Sequence, residues 1–487
     1  MQCANAAKTP DTKQERESNL ITIITGKLNN LEYDVLALAS AFYPGREIVF
    51  KETDKEAPLG EVIYLEKIID ETAPKNEQRR QFYRYLSEQT GRQLPWGVLT
   101  GVRPTKLTTA AIRGGMTPIQ AADMMKKEYL VSAEKAVLAA EIAAREAELF
   151  AEEKETAGAL PTLPRKSGLN LYIGIAFCPT TCLYCSFTSF SIEKWGHRVD
   201  DYLKALFREI DWTAKKFAGE KLNTLYIGGG TPTSLSAEQL ERLLAKIRGS
   251  FDLSNIREFT VEAGRPDSID REKMIILKKY GVDRISINPQ TMNDKTLRLI
   301  GRNHSAAQVS EKFALARKAG FDNINMDIIL GLPEETAEDV AETISQIQKL
   351  RPESLTVHAL AVKRASRLKM ESEGVPMPGP SADEAEKMMY IAAEGAASMG
   401  LRPYYMYRQK NMAGNLENVG YAAPGREGIY NIIIIEETQS IVALGAGTVS
   451  KRVFPDGHID RCDCVKNIEQ YIARVDEMID RKKKLFE

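Results

Sequence analysis

The sequence predicts an α/β chain: a partial (β/α)6 TIM-like barrel at residues 165–373, an α/β N-terminal domain at 1–160 before it, and a smaller α+β C-terminal domain at 380–487 after it. Three observations carry that expectation. Short apolar runs alternate six times with amphipathic stretches of helical period, the pattern of parallel strands joined by right-handed crossovers. Two breaker-rich segments, Ala157–Pro164 and Gly374–Pro380, bracket the alternation. The chain has 487 residues, 43% of them hydrophobic, enough for a large core and two to four domains.

In chain order, residues 1–19 are polar and expected to fray. Leu20–Ile24 reads as a strand, and the Ala- and Glu-rich stretch Ala133–Glu153 as one long helix with Ser132 as its N-cap. Barrel strands are expected at Leu171–Ala176, Thr224–Ile227, Glu258–Glu262, Arg284–Asn288, Asn323–Ile329 and Ser354–Ala359. Helices are expected between them at Asp200–Phe217, Ala237–Arg248, Arg271–Lys279, Ser305–Lys318 and Ala337–Lys349. After the second boundary come a helix at Ala382–Met399, an irregular polar segment, a strand pair near Ile432–Glu436 and Ser440–Leu444, and a charged C-terminal helix. The Arg481–Lys484 run in that helix reads as a solvated face.

Charge narrows the function classes. Lys and Arg number 66 against 67 Asp and Glu, a net charge of −1, so no nucleic-acid partner is expected. No apolar run approaches the length that spans a bilayer, and the first residues lack the apolar centre of a secretory signal. A cytoplasmic location without a membrane span is therefore expected. The six cysteines (Cys3, Cys178, Cys182, Cys185, Cys462 and Cys464) are too few and too clustered for a disulfide framework and point to metal or redox chemistry.

Cys178-Pro-Thr-Thr-Cys182-Leu-Tyr-Cys185 has the spacing C-x3-C-x2-C just after a predicted barrel strand, where barrel sites lie. Three thiolates on one loop can ligate three irons of a 4Fe-4S cubane and leave the fourth iron open to a small molecule. A structural zinc would need a fourth ligand, and the nearest histidine, His197, lies twelve residues past Cys185. Cys462 and Cys464 read as two partly buried thiols, not as a second cluster. Other strand ends carry polar groups. Gly228–Gly230 let backbone approach a ligand closely, Glu262 and Asp327 can accept from a ribose, Gln290 offers donor and acceptor, and Arg302 can clamp a carboxylate. Taken singly each is an ordinary surface or capping residue; together they line successive strand ends.

These motifs resemble the radical SAM superfamily, and within it the group of oxygen-independent coproporphyrinogen III oxidases and their relatives (HemN, HemW and HemZ). The lead-in Leu171–Cys178, the Tyr226–Thr233 segment (Tyr-Ile-Gly-Gly-Gly-Thr-Pro-Thr), Gly301–His304, Asp327–Pro333 and, more weakly, Leu444–Gly447 all match. The likeness spans about residues 168–450, and Trp96–Lys106 with the long N-terminal region is most similar to the HemZ branch, the coproporphyrinogen dehydrogenases. The resemblance implies a 4Fe-4S cluster on Cys178, Cys182 and Cys185, which with Tyr172 form the catalytic set. It also implies S-adenosyl-L-methionine held by Tyr172, Tyr184, Gly229, Gly230, Thr231, Glu262, Gln290, Arg302, Asp327, Ile329 and Ala361. It implies a tetrapyrrole substrate, coproporphyrinogen III or heme, and a reduced flavodoxin- or ferredoxin-like electron donor. The implied reaction is radical oxidative decarboxylation of propionates to vinyls; a heme chaperone or another radical enzyme on tetrapyrroles, such as one degrading heme without oxygen, shares the same motifs. The sequence departs from the group at Gly174 and Ala176, where the lead-in has histidine and proline. It departs again at Phe187, where the oxidases have a fourth cysteine. Arg103, Lys106, Lys363, Arg364, Arg367 and Arg408 are candidate partners for substrate carboxylates, and Tyr404, Tyr405 and Tyr407 for a macrocycle pocket.

Overall fold

The computed structural model describes residues 19–25, 31–52, 60–150, 168–361, 379–409 and 416–487. Residues 1–18 of the expected frayed N-terminus, the boundary at Ala157–Pro164, most of the boundary at Gly374–Pro380, and Lys363, Arg364 and Arg367 lie outside the described residues.

The N-terminal region folds on a small parallel sheet of β1 (Leu20–Ile24), β2 (Glu47–Lys51) and β3 (Glu61–Tyr64) in the order β2-β1-β3. Ile21 and Ile23 of β1 are fully buried against Leu38 and Phe42 of the helix Glu32–Phe42 and Phe82 and Leu86 of the helix Lys75–Thr90. The long alanine-rich helix runs Ala133–Leu149, capped by Ser132, whose side chain accepts from the Lys135 amide.

The barrel begins at β4 (Leu169–Ile175), followed by a short pair β5 (Phe177–Cys178) and β6 (Phe190–Ser191) around the cysteine loop. Then come β7 (Leu222–Gly229), β8 (Glu258–Glu262), β9 (Arg284–Ser286), β10 (Ile324–Leu330) and β11 (Ser354–Ala359). Leu171, Ile173 and Ile175 on β4 are 0% exposed, as are Leu225 and Ile227 on β7. Each such side chain removed from water stabilises the fold by about 1.5–3 kcal/mol, which is why these near-continuous apolar runs take the centre of a parallel sheet covered on its outer face by helices. The covering helices run Val199–Lys216, Ala237–Ser250, Arg271–Lys279, Ala306–Lys318 and Ala337–Leu350, within two residues of expectation. Three of them start with reciprocal capping boxes, at Ser236, Ser305 and Thr336.

Residues beyond 380 extend this same sheet. β12 (Arg402–Tyr407) and β13 (Asn418–Ala422) add antiparallel strands beside β11, while β14 (Ile441–Leu444), β15 (Val449–Val453) and β16 (Ile459–Asp463) continue from β4. The order is β12-β13-β11-β10-β9-β8-β7-β4-β14-β15-β16, with parallel pairing from β14 through β11.

Two expectations fail here. Ile432–Glu436 is not a strand but part of the helix Ile429–Glu436. A short run of isoleucines carries no period, so strand and buried helix look alike in sequence, and tertiary packing decides. Lys482, inside the presumed solvated run, is 0% exposed, while Lys483 and Lys484 on the same helix face water.

Candidate active site at the strand ends

The cysteine loop is fastened from three sides. Leu183 N donates to Ile300 O at 3.1 Å, and Thr180 Oγ1 to Gly301 O at 3.2 Å. Arg265, 3% exposed, donates from Nη1 to Thr180 O (3.1 Å) and from Nη2 to Thr180 Oγ1 (2.9 Å), and is itself held by Asp267 at 2.7 Å. The same Nη1 lies 3.6 Å from Cys182 Sγ. Cys178 and Cys182 are buried and Cys185 half-buried, and burial pushes the Cys178 thiol up to about 11.

The glycine turn after β7 is what lets this loop lie where it does. Gly229 has φ +109°, and a Cβ there would stand 2.8 Å from Ile175 N and O. A Cβ on Gly230 would stand 2.5 Å from Phe177 O and 3.0 Å from Cys178 Sγ. In the space these glycines leave, Gly230 N donates to Ile175 O and Thr231 N to Phe177 O, both at 2.7 Å, and Thr231 Oγ1 lies 3.5 Å from Cys178 Sγ.

Around the rest of the rim, Tyr226 OH donates to Glu262 Oε1 at 2.7 Å, and the Tyr172, Tyr226 and Tyr430 rings stack at centroid distances of 4.6–6.0 Å. Burial lifts Glu262 to about 7, and the nearby Asp327 charge adds to it. Burial also works against the Asp327 anion, but His358, 3.8 Å away, and the hydrogen bond from Asn325 at 2.6 Å outweigh it and hold that carboxyl below its ordinary value. Gln290 sits at φ +67°, a conformation rare outside glycine, locked by its amide to Asp327 O and its carbonyl from Ile329 N, both at 2.9 Å. Its side-chain Oε1 is buried and has no hydrogen-bond partner among the described residues, like Asn288 Oδ1 and Arg302 Nε.

The expected cofactor residues Tyr184, Gly229, Gly230, Thr231, Glu262, Gln290, Arg302, Asp327, Ile329 and Ala361 all line one cavity of about 380 Å³, together with the three cysteines. Tyr172 stands behind it in the tyrosine stack. Arg302 departs from expectation in detail: its Nη2 is spent on Gly264 O (2.8 Å) and Asn288 O (2.6 Å), and its Nη1 reaches Tyr184 OH at 3.3 Å. It joins the loops after β8 and β9, and its Nε has no partner among the described residues. Burial, with Arg302 alongside, pushes His304 down to about 3, so it adds no charge.

Of the candidate carboxylate partners, the three among the described residues, Arg103, Lys106 and Arg408, do not gather here. Arg103 donates to Glu436 O at 2.7 Å and pairs with Glu437, and Arg408 is buried against Leu99 O at 2.6 Å. Neither they nor Lys106 line the cavity. Tyr405 and Tyr407 do, while Tyr404 is core. Sequence reading missed Arg265, Arg284 and His358; their only signal was a charged or polar residue within or just past an apolar strand.

The donors fit the groups the family resemblance implies. The three thiols line one cavity, as ligands of three irons of one cluster would. The glycine turn leaves a cradle that a Cβ would fill, and unpartnered amide and guanidinium atoms face the space beside it.

The radical SAM superfamily model matches residues 172–347. The chain is 43% identical over 420 residues, 85% of its length and 81% of the relative's, to the oxygen-independent coproporphyrinogen-III oxidase-like protein HemZ of Bacillus subtilis. It is 42% identical over 195 residues, 40% of this chain and 51% of the other, to the heme chaperone HemW of the same organism. Among solved structures it resembles coproporphyrinogen III oxidase (HemN) from Escherichia coli, with TM-score 0.53 and 25% identity over 64% of this chain and 70% of that one. A 4Fe-4S cluster and S-adenosyl-L-methionine are the cofactors of this superfamily. The fold, the cysteine loop and the relatives agree: the chain belongs to the radical SAM superfamily, in the HemN/HemW/HemZ group.

Proposed function

We propose that this chain is an oxygen-independent coproporphyrinogen III oxidase, or dehydrogenase, which oxidatively decarboxylates two propionates to vinyls and yields protoporphyrinogen IX for heme synthesis. The observation that carries the reading is the continuity of the cavity: three thiols and the glycine turn form its rim, and tyrosines, amides and hydroxyls from β9 to β13 line its depth. In this reading Cys178, Cys182 and Cys185 hold the cluster and the strand-end residues from Gly229 to Ala361 hold S-adenosyl-L-methionine.

When bound, the two cofactors supply a 5′-deoxyadenosyl radical that abstracts a substrate hydrogen. The chain's own residues position and shield. Gly229 and Gly230 admit the cofactor's polar end to backbone contact. Asp327, kept anionic, accepts from a ribose. Tyr172, Tyr226 and Tyr430 wall off water, and Tyr226 holds the Glu262 carboxyl in place. Excluding water protects a radical from quenching. A reduced flavodoxin- or ferredoxin-like protein would deliver the electron. No described helix is long and apolar enough to cross a membrane, in keeping with a cytoplasmic partner.

One observation favours a second reading, a heme chaperone without decarboxylase activity. Phe187 stands at the cavity where the oxidases carry a fourth cysteine, and it is 72% exposed. The test is anaerobic incubation of the reconstituted, reduced protein with S-adenosyl-L-methionine and coproporphyrinogen III. Protoporphyrin after oxidation, with release of CO2, supports the oxidase. Stoichiometric heme binding without turnover supports the chaperone, and linear tetrapyrroles formed from added heme would point to heme degradation.

A further inference from the structure

Below the rim the cavity continues into the barrel interior and meets Arg284. This side chain opens β9 and is 1% exposed. Its Nη2 donates to Ser354 Oγ at 3.0 Å; its Nε and Nη1 have no hydrogen-bond partner among the described residues. A guanidinium does not shed its proton to escape burial, so an unanswered buried one is heavily penalised unless something else meets it.

The carboxylates nearby are already engaged. Glu258 Oε1 accepts from Thr260 (2.6 Å) and Oε2 from Tyr430 N (2.8 Å). Glu262 accepts from Tyr226 and Asp327 from Asn325. Among the described residues Arg284 makes no ion pair within 4.0 Å. The chamber wall carries neutral polar groups at Ser286, Asn325, Thr356, Asn431 and Tyr405, and the Glu262 and Asp327 carboxylates, which line the same cavity, act on Arg284 through space without a hydrogen bond to it. None of these groups among the described residues meets the N–H groups at Nε and Nη1.

We propose that the inner chamber is a carboxylate-binding subsite in which Arg284 receives an acidic arm of the substrate through the N–H groups left open at Nε and Nη1. The identity of the arm rests on the tetrapyrrole reading: it is a propionate, which coproporphyrinogen and heme both carry. The amino-acid carboxylate of S-adenosyl-L-methionine is the other source of the same chemistry. Arg284 begins its strand, whereas Gln290 and the cysteine loop lie at the opposite, C-terminal end, and this separation favours the substrate.

The test uses reconstituted holoenzyme carrying Arg284→Gln, Arg284→Lys or Ser354→Asp. The last places a carboxylate on the residue that already touches Arg284, so the subsite would fill itself. Coproporphyrin III, its tetramethyl ester and S-adenosyl-L-methionine are titrated against each. R284Q and S354D should each weaken coproporphyrin binding tenfold or more and R284K less. Ester affinity and S-adenosyl-L-methionine affinity should stay within twofold of the unmodified protein. Equal loss for acid and ester, loss confined to S-adenosyl-L-methionine, or unchanged acid binding in R284Q and S354D would each overturn the proposal. Turnover is scored separately. Arg284-dependent acid binding without CO2 release keeps the subsite and removes the decarboxylase reading; CO2 release indifferent to Arg284 does the reverse.

Discussion

Lys482 and Arg284 are both cations withdrawn from water, and they differ in one respect. Lys482 is fully answered: Nζ donates to Glu209 Oε1 at 2.6 Å and to Cys464 Sγ at 2.9 Å, while Glu209 Oε2 accepts from Tyr471 OH at 2.5 Å and Gly445 N at 2.8 Å. That network ties the C-terminal helix and the residue after β16 to the helix Val199–Lys216. Among the described residues Arg284 has one hydrogen-bond partner, and it faces a cavity. A closed polar network holds a fold together, and an incomplete one beside a cavity marks where something else binds.

The sharpest way to break that contrast lies at the cavity rim. Cys182→Ala should abolish the broad absorbance at roughly 400 nm expected of a 4Fe-4S protein and all cleavage of S-adenosyl-L-methionine, while far-ultraviolet circular dichroism stays unchanged. A variant that kept its iron and activity would show that these thiols are not the ligands. At the closed network the effect should be on stability. Lys482→Met strands the Glu209 carboxylate in the interior and should cost about 3–5 kcal/mol in urea denaturation, with cluster content per folded molecule unaltered. Adding Glu209→Gln should return a good part of that loss.

A third measurement concerns pH. Glu262 rises from 4.5 to about 7 on folding, so between those values the folded chain holds a proton that the unfolded chain has released. Stability of the cofactor-free protein therefore falls as pH increases through this window, by up to about 3 kcal/mol from this group. Glu335, raised to about 7, and Asp283, raised to about 6, add slope of the same sign, whereas His304, lowered from 6.5 to about 3, opposes it up to its ordinary value. Urea midpoints at pH 5 and 7.5 should converge in Glu262→Gln by Glu262's share, and an unchanged gap would remove it as a contributor. The smallest change is expected away from both networks: Ser132→Ala removes a helix cap and should cost about 1 kcal/mol, read as a lower thermal midpoint with binding and turnover intact.

Much of this was legible in the sequence, for physical reasons. Strands such as Glu258–Glu262 and Ser354–Ala359 and the helix Arg271–Lys279 agree residue for residue, because period and capping are local. The cysteine triplet and the glycine turn were readable because their chemistry is written in consecutive residues. The Ile432–Glu436 helix was not, since its apolar run suits either backbone until packing selects one. Arg284, Lys482 and Arg265 were invisible for a different reason: a charged residue in sequence says nothing about whether its partner, or the lack of one, waits 70, 273 or 85 residues away.

The stretch Trp96–Lys106 bears on how far the N-terminal region is a detachable module. Trp96, fully buried, donates its indole N–H to Glu417 at 2.8 Å, and Lys135 pairs with the same carboxylate at 2.9 Å. Val102 O accepts from Arg408 N at 2.7 Å, and Arg103 and Thr105 grip Glu436 and Glu437 at the end of the helix that presents Ile434 and Ile435 to the cavity. A shortened chain beginning at the barrel would leave Glu417 without either partner and that helix end unclasped. The radical chemistry of this chain is therefore not portable on its barrel alone, and a graft onto another scaffold would have to carry the front of the polypeptide with it.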